Sequence, residues 1–345
     1  MMGDKKRGLH ISKRMIWALV FMLIAVLFLL DIFSFGRDVK YQNERGFVFG
    51  TTYSITYSNA EKIDLKQNIN NAFDVVNNSL SMFNPNSVIS HINNNVDTVP
   101  DAPFMIVWDK AQEVSINSNG CFDMTVAPLV DLWGFGLKKR ATVTPEQVDS
   151  VMPYIGWGEI SIANGVVMKN SPSIRIDASA IAKGFACDVV ADTLAAYGCT
   201  DWCVEIGGEV VAGGVNPKGD AWRIGINKPV EDSLSIVNEI QDIAYLTNAG
   251  MATSGNYRNY YEEGGKKYSH TIDPRTGYPV RHSLLSATII AADCMTADAW
   301  ATACMVAGFE TSKQWITDRS DISGYLIYEQ DGEYMTWVSD DFPIK

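Results

Sequence analysis

Paired cysteines and histidines are scarce in this chain of 345 residues. The six cysteines (Cys121, Cys187, Cys199, Cys203, Cys294 and Cys304) include no Cys-x-x-Cys pair, which excludes the common thiolate zinc sites. Cys199 and Cys203 are four apart, but the stretch between them passes from a helix end into a strand, so a shared metal is not expected. Cysteines scattered through apolar runs read as buried thiols, with no required disulfide. Positive charge is also short: the net charge is −12, which excludes a broad nucleic-acid surface and still allows a local basic pocket for phosphates. No internal repeat or low-complexity tract is present. What remains, 47% hydrophobic and 20% charged, fits one large or two ordinary globular domains.

The N-terminus carries the strongest compositional signal. Lys5, Lys6, Arg7, Lys13 and Arg14 precede an uncharged apolar run, Met15 to Leu30, and Ile32-Phe33 continue it past Asp31. A basic flank before an apolar core is an export signal, with the positive side kept in the cytoplasm. No clear small-x-small cleavage site follows, and no cysteine stands at a lipidation position. The reading is an uncleaved signal anchor: a basic flank over 1–14, a membrane segment over 15–33, a linker over 34–44, and a catalytic domain over 45–345 outside the cytoplasm, at the inner membrane facing the periplasm.

Beyond the anchor, helical and strand patterns alternate irregularly. Gly46 to Tyr57 reads as a first strand, and Leu65, Ile69, Ala72, Phe73, Val76 and Leu80 follow with helical period. Residues 81–90 read as a polar loop and Asn93 to Asn95 as a surface turn. Another amphipathic helix spans Phe104 to Val114 and closes at Gly120. Thr144-Pro-Glu-Gln147 is a helix start with a capping box, and Asn164-Gly165 centres a hairpin. Cys203 to Val211 reads as one strand broken by two glycines, Met251 to Tyr257 as a small-residue loop, and Asp331-Gly332 as the last hairpin turn. The expected fold class is α+β: a single mixed-sheet domain with flanking helices.

The organising stretch is Asp177-Ala-Ser-Ala-Ile-Ala-Lys-Gly-Phe-Ala-Cys-Asp188, where a β run (Ser173 to Ile176) passes into a helix ending at Gly198. Small residues at a helix N-terminus, with Lys183 beside them, suit a phosphate; an ordinary strand-to-helix connection with a solvated lysine has the same pattern. Asp298 and Thr302, four apart on a helix, present two hard oxygens on one face, as Mg²⁺ prefers. The bland reading is a dipole-favoured Asp and a back-bonding Thr. His270, ahead of Asp273-Pro274, is a candidate general base or phosphate ligand, and a structural histidine otherwise. Leu132-Trp-Gly-Phe-Gly136 suggests a wall for a flat ligand or a core corner.

Read in order, Gly50-Thr-Thr-Tyr53, Asp123-Met-Thr125, Trp133-Gly-Phe135, Asp177…Lys183-Gly184…Asp188, Gly207-Gly208, Thr253-Ser254-Gly255, His270…Asp273-Pro274 and Asp298…Thr302 resemble the FAD:protein FMN transferase (ApbE) family over residues 45 to 340. The resemblance implies an ApbE-type (T-fold-like) domain that uses FAD and Mg²⁺. It implies transfer of FMN to a threonine hydroxyl of an acceptor, with release of AMP. It places metal ligands on Asp298, Thr302 and the Ala180 carbonyl. Flavin and phosphate contacts fall on Trp133, Gly134, Phe135, Asp177, Lys183, Thr253, Ser254 and Gly255, and catalytic roles on His270 and Asp298. The implied acceptor is a flavin-carrying subunit of a membrane electron-transport complex.

Overall fold

The computed structural model describes residues 40–59, 61–136, 142–229, 239–256, 260–263 and 266–344. The chain divides into two compact units, Met1–Lys40 with Ala60–Lys62 and Tyr41–Asn59 with Ile63–Lys345. The expected basic flank and membrane segment over 1–33 lie outside the described residues. Among the described residues no helix is long and apolar enough to cross a membrane.

The second unit opens with a hairpin where the sequence suggested one strand. β1 (Tyr41–Val48) pairs with β2 (Thr51–Ser58) across Phe49-Gly50, both at positive φ, so the unit begins inside the expected linker. Tyr53, Ile55 and Tyr57 of β2 alternate inward to the core. Then come α1 (Lys66–Leu80), α2 (Val88–Asn93) and α3 (Ala102–Asn117). α2 begins within the expected loop because Ser87 accepts from the Ser90 N–H as its N-cap.

α4 (Ala127–Leu132) precedes α5 (Pro145–Val151), which has the capping box expected of it: Thr144 Oγ1 accepts from Gln147 N at 3.4 Å, and Gln147 Oε1 accepts from Thr144 N at 2.9 Å. β3 (Ile160–Ala163) and β4 (Val166–Lys169) turn at Asn164-Gly165 as read. Ser173 to Ile176 is no strand. The Asn93 carboxamide takes both backbone groups of Ile176, accepting from its N at 2.7 Å and donating to its O at 2.8 Å. One side chain replaces a strand partner there.

α6 (Ala182–Ala196) follows, then β5 (Trp202–Ile206) and β6 (Glu209–Gly213). The two glycines between these strands are a hairpin turn rather than a kink in one strand. Gly207 and Gly208 have φ of 65° and 100°, which glycine adopts without strain. β7 (Trp222–Asn227) pairs with β8 (Ile240–Leu246), and β9 (Ala249–Gly255) replaces the expected small-residue loop. β10 (Tyr260–Glu263) pairs with β11 (Lys266–Ser269). The chain closes with β12 (Leu284–Ala291), α7 (Cys294–Ala307), α8 (Phe309–Asp318), β13 (Ile322–Gln330) and β14 (Glu333–Val338), the last two turning at Asp331-Gly332.

Eight strands form one sheet in the order β1-β2-β5-β6-β9-β12-β13-β14. Every pairing is antiparallel, so the class is α+β but the sheet is not mixed. The neighbours that are not consecutive in sequence, β2 with β5, β6 with β9 and β9 with β12, also run antiparallel. α7 packs on β9 and β12 and against α6. It is apolar over most of its surface, with Trp300 fully buried, and turns Asp298 and Thr302 to one side. Its close approach depends on two glycines. A Cβ on Gly184 would lie 2.4 Å from Cys294 O, and one on Gly250 would lie 2.2 Å from Cys294 N.

Candidate active site

A cavity of about 1420 Å³ opens where the N-terminus of α6, the middle of α7 and the end of β9 meet. The stretch Asp177 to Lys183 delivers the first side chains. Asp177 Oδ1 accepts from Ser179 N at 2.8 Å and Asp177 N donates to Met124 O at 2.7 Å, which fixes the turn before α6. Burial pushes the Asp177 carboxyl above its ordinary range, against the pull of the Ser179 N–H. The neighbouring Asp123 is pinned too, accepting from Thr125 N, Thr125 Oγ1 and Trp157 N.

α6 and α7 are tied together at the site. Gly184 N donates to Asp298 Oδ2 at 3.0 Å, and the Asp188 carboxylate accepts from Cys294 N and Met295 N at 2.9 and 2.8 Å. Asp298 is therefore held by α6 as well as by its own helix. Thr302, one turn on, lies 3.4 Å from Ser254 Oγ across the gap to β9.

Lys183 reaches between two carboxylates. Its Nζ is 2.8 Å from Glu209 Oε1 and 4.0 Å from Asp298 Oδ2, with about a third of the side chain (32%) open to the cavity. Burial alone would lower its pKa, but Asp298 and Glu209 outweigh that and hold the ammonium above its ordinary value. Glu209 is 5% exposed, and among the described residues its Oε2 has no hydrogen-bond partner. Burial raises its carboxyl to about 7 against the pull of Lys183. The three side chains together carry one net negative charge when all are ionised.

Of the residues singled out from sequence, Asp177, Ala180, Lys183, Asp298 and Thr302 share this cavity with Gly134, Phe135, Thr253, Ser254, Gly255 and His270. The His270 ring lies 6.3 Å from that of Phe135. Trp133 stands behind the wall: it is buried with Leu129, Val148 and Ile272 and donates from Nε1 to Gly277 O at 2.8 Å. Its indole buttresses the loop that carries His270. Glu209 was missed, although a glutamate heading an apolar strand run is itself a signal, because a buried charge needs a partner.

Asp298 and Thr302 line the cavity with hard oxygens suited to a cation, and Ala180 lines it with them. Asp298 Oδ2 is held by Gly184 while Thr302 faces the same space, a fit for Mg²⁺, which takes few protein oxygens and completes its shell with water and phosphate. Among the described residues no group of three or more His, Cys, Asp or Glu is placed to hold a metal. A closed protein cage is therefore not what these residues build.

A family model described as the ApbE family matches residues 49–326. The chain is 34% identical over 329 residues to an FAD:protein FMN transferase of Vibrio cholerae serotype O1, covering 93% of this chain and 97% of that protein. It is 34% identical over 337 residues to an FAD:protein FMN transferase of Haemophilus influenzae, covering 93% and 96%. Among solved structures, the flavin transferase ApbE from Vibrio cholerae superimposes with a TM-score of 0.79 at 34% identity, covering 88% of this chain and 98% of the other.

Proposed function

The chain belongs to the ApbE family, and we propose that it transfers the FMN moiety of FAD to a threonine hydroxyl of an acceptor protein in a Mg²⁺-dependent reaction that releases AMP. The observation that carries this reading is the convergence of Lys183, Asp298 and Thr302 on one cavity large enough for a dinucleotide.

Asp298, Thr302 and the Ala180 carbonyl would hold Mg²⁺. When bound, the ion supplies Lewis-acid polarisation of the pyrophosphate and offsets charge on the departing AMP. The work of the protein is positioning and neutralisation, as phosphoryl-type transfers require. Lys183 donates to a phosphate oxygen as a point charge. His270 accepts the threonine proton as the hydroxyl oxygen attacks the FMN phosphorus and the bond to the AMP oxygen breaks. Phe135, Gly134 and the Thr253–Gly255 strand end line the space for the flavin and its phosphate.

We propose as well that a signal anchor over residues 15–33, supported by the basic flank before an uncharged apolar run, holds the chain at the inner membrane with the catalytic unit on the periplasmic side. The acceptor is a subunit of a membrane electron-transport complex bearing a threonine among small residues.

The test is incubation of the full chain with FAD and Mg²⁺, with and without a threonine-bearing acceptor. AMP together with an FMN-sized mass gain on the acceptor supports the transferase. AMP and free FMN with the acceptor unmodified would assign a pyrophosphatase, and bound FAD without AMP a flavin carrier. Asp298→Ala is expected to abolish Mg²⁺-dependent turnover with the circular dichroism spectrum unchanged.

A further inference from the structure

Glu209 has no role in the chemistry set out above, yet it is buried at the cavity, ion-paired to Lys183, and has one oxygen unpartnered among the described residues. A buried carboxylate is expensive to retain unless its charge does something. Its geometry supplies the reason. An ammonium placed between two carboxylates can close on either. Here it sits in contact with Glu209, 2.8 Å away, and stops short of Asp298, 4.0 Å away.

We propose that Glu209 is a positioning residue that holds the Lys183 ammonium off Asp298, so that the Asp298 carboxylate stays available to a divalent cation. The inference rests on the assignment of Asp298 as a metal ligand. Without Glu209, the flexible lysine stem would let Nζ close on Asp298, the one carboxylate left in the cluster. The pair would be neutral, and an incoming cation would have to displace a bound ammonium. With Glu209 present, the cluster keeps a net charge of −1, and Lys183 spends one of its three donors on Oε1. The others stay free for a phosphate oxygen. Glu209 thus serves the cation and the phosphate without touching either.

The alternative is that the pair merely fastens β6 to α6. Charge arithmetic separates the two. Glu209→Gln brings the cluster to zero, Lys183→Met to −2, and the double variant back to −1. Binding of Mn²⁺ alone to the full chain, without FAD, is followed at pH 8 by loss of the free-ion EPR signal, with circular dichroism as a check on folding. The expected result is an affinity about tenfold weaker in Glu209→Gln, since removing a unit charge a few ångströms from the ion is worth at least that much. Lys183→Met should bind at least as well as wild type, and the double variant should recover most of the loss.

Wild-type affinity in Glu209→Gln, with Asp298→Asn still abolishing binding, would overturn the proposal while leaving the metal assignment standing. A loss in Glu209→Gln that the double variant does not recover would also overturn it, in favour of fastening. Mn²⁺ binding that Asp298→Asn leaves intact would remove the metal assignment and this proposal with it.

Discussion

Gly184 lies where α6 crosses α7, and Gly184→Ala tests the geometry of the site through one methyl group. Judged by helix propensity, the change should stabilise slightly, by less than the helix-interior difference of about 1 kcal/mol because Gly184 stands in the first turn of α6. Judged by packing, it should do the opposite. The added Cβ would lie 2.4 Å from Cys294 O and 2.8 Å from Asp298 Cβ, where ordinary contact begins near 3.4 Å. Cys294 O is helix backbone and cannot rotate away. α7 must therefore retreat by about 1.0 Å, the difference between 3.4 and 2.4 Å. Overpacking of this kind costs about 1–3 kcal/mol. For a unit of about 300 residues, at about 2.1 cal/mol/K per residue, that corresponds to a fall of roughly 2–5 °C in melting temperature. The retreat also lengthens the Gly184 N to Asp298 Oδ2 bond, now 3.0 Å, and shifts Asp298 relative to Lys183. Misplacement of a reacting group by about 1 Å can lower turnover on the order of 100-fold. Thermal unfolding followed by circular dichroism, and AMP release from FAD at saturation, read the two effects separately. A variant as stable as wild type or more so, with unchanged turnover, would refute the argument that Gly184 sets the distance between the helices.

Three further outcomes follow from the same coordinates. Lys183→Ala removes a charged donor from the phosphate end of the cavity and should lower kcat/KM for FAD by roughly 10–100-fold, the range for a charge-assisted hydrogen bond of about 1.5–3 kcal/mol; unchanged kinetics would take Lys183 out of the site. His282 is packed with Nε2 2.9 Å from Met305 O, and burial lowers its pKa below the ordinary 6.5. Below about pH 6.5 the unfolded chain takes up a proton at this position that the folded chain refuses, so the contribution of His282 to stability falls as pH drops through that range, while Glu209, raised to about 7, contributes with the opposite sign. The difference in urea midpoint between wild type and His282→Gln, in which the carboxylates cancel, should therefore move against the wild type from pH 7.5 to 5.5. Thr144→Ala removes the cap of α5 and should cost about 1 kcal/mol of unfolding free energy in urea with no change in turnover, since Thr144 does not line the cavity.

Which parts of this fold could be read in advance depended on whether the deciding interaction was local. Asn164-Gly165 and Asp331-Gly332 each determine a two-residue turn by their own φ preferences, and the capping box of Thr144 and Gln147 closes within four residues. α7 was legible as the helix that sets Asp298 and Thr302 four residues apart. Gly207-Gly208 misled because two glycines in an apolar run fit a kink as well as a turn; only the pairing of Glu205 with Val210 decides. Ser173 to Ile176 has the composition of a strand, but its partner is the Asn93 side chain, distant in sequence. The instructive case is β9. Ala249 to Gly255 is built of small residues with little strand preference and reads as a loop by composition. It is a strand because α7 presses on it: at Gly250 no side chain fits between the strand and the helix N-terminus. The same closeness brings Ser254 within 3.4 Å of Thr302 and completes the wall opposite Asp298. The feature that hid the strand from sequence is thus the one that makes the site. Residues kept small by packing lose their secondary-structure signal where two elements come close enough to share a ligand.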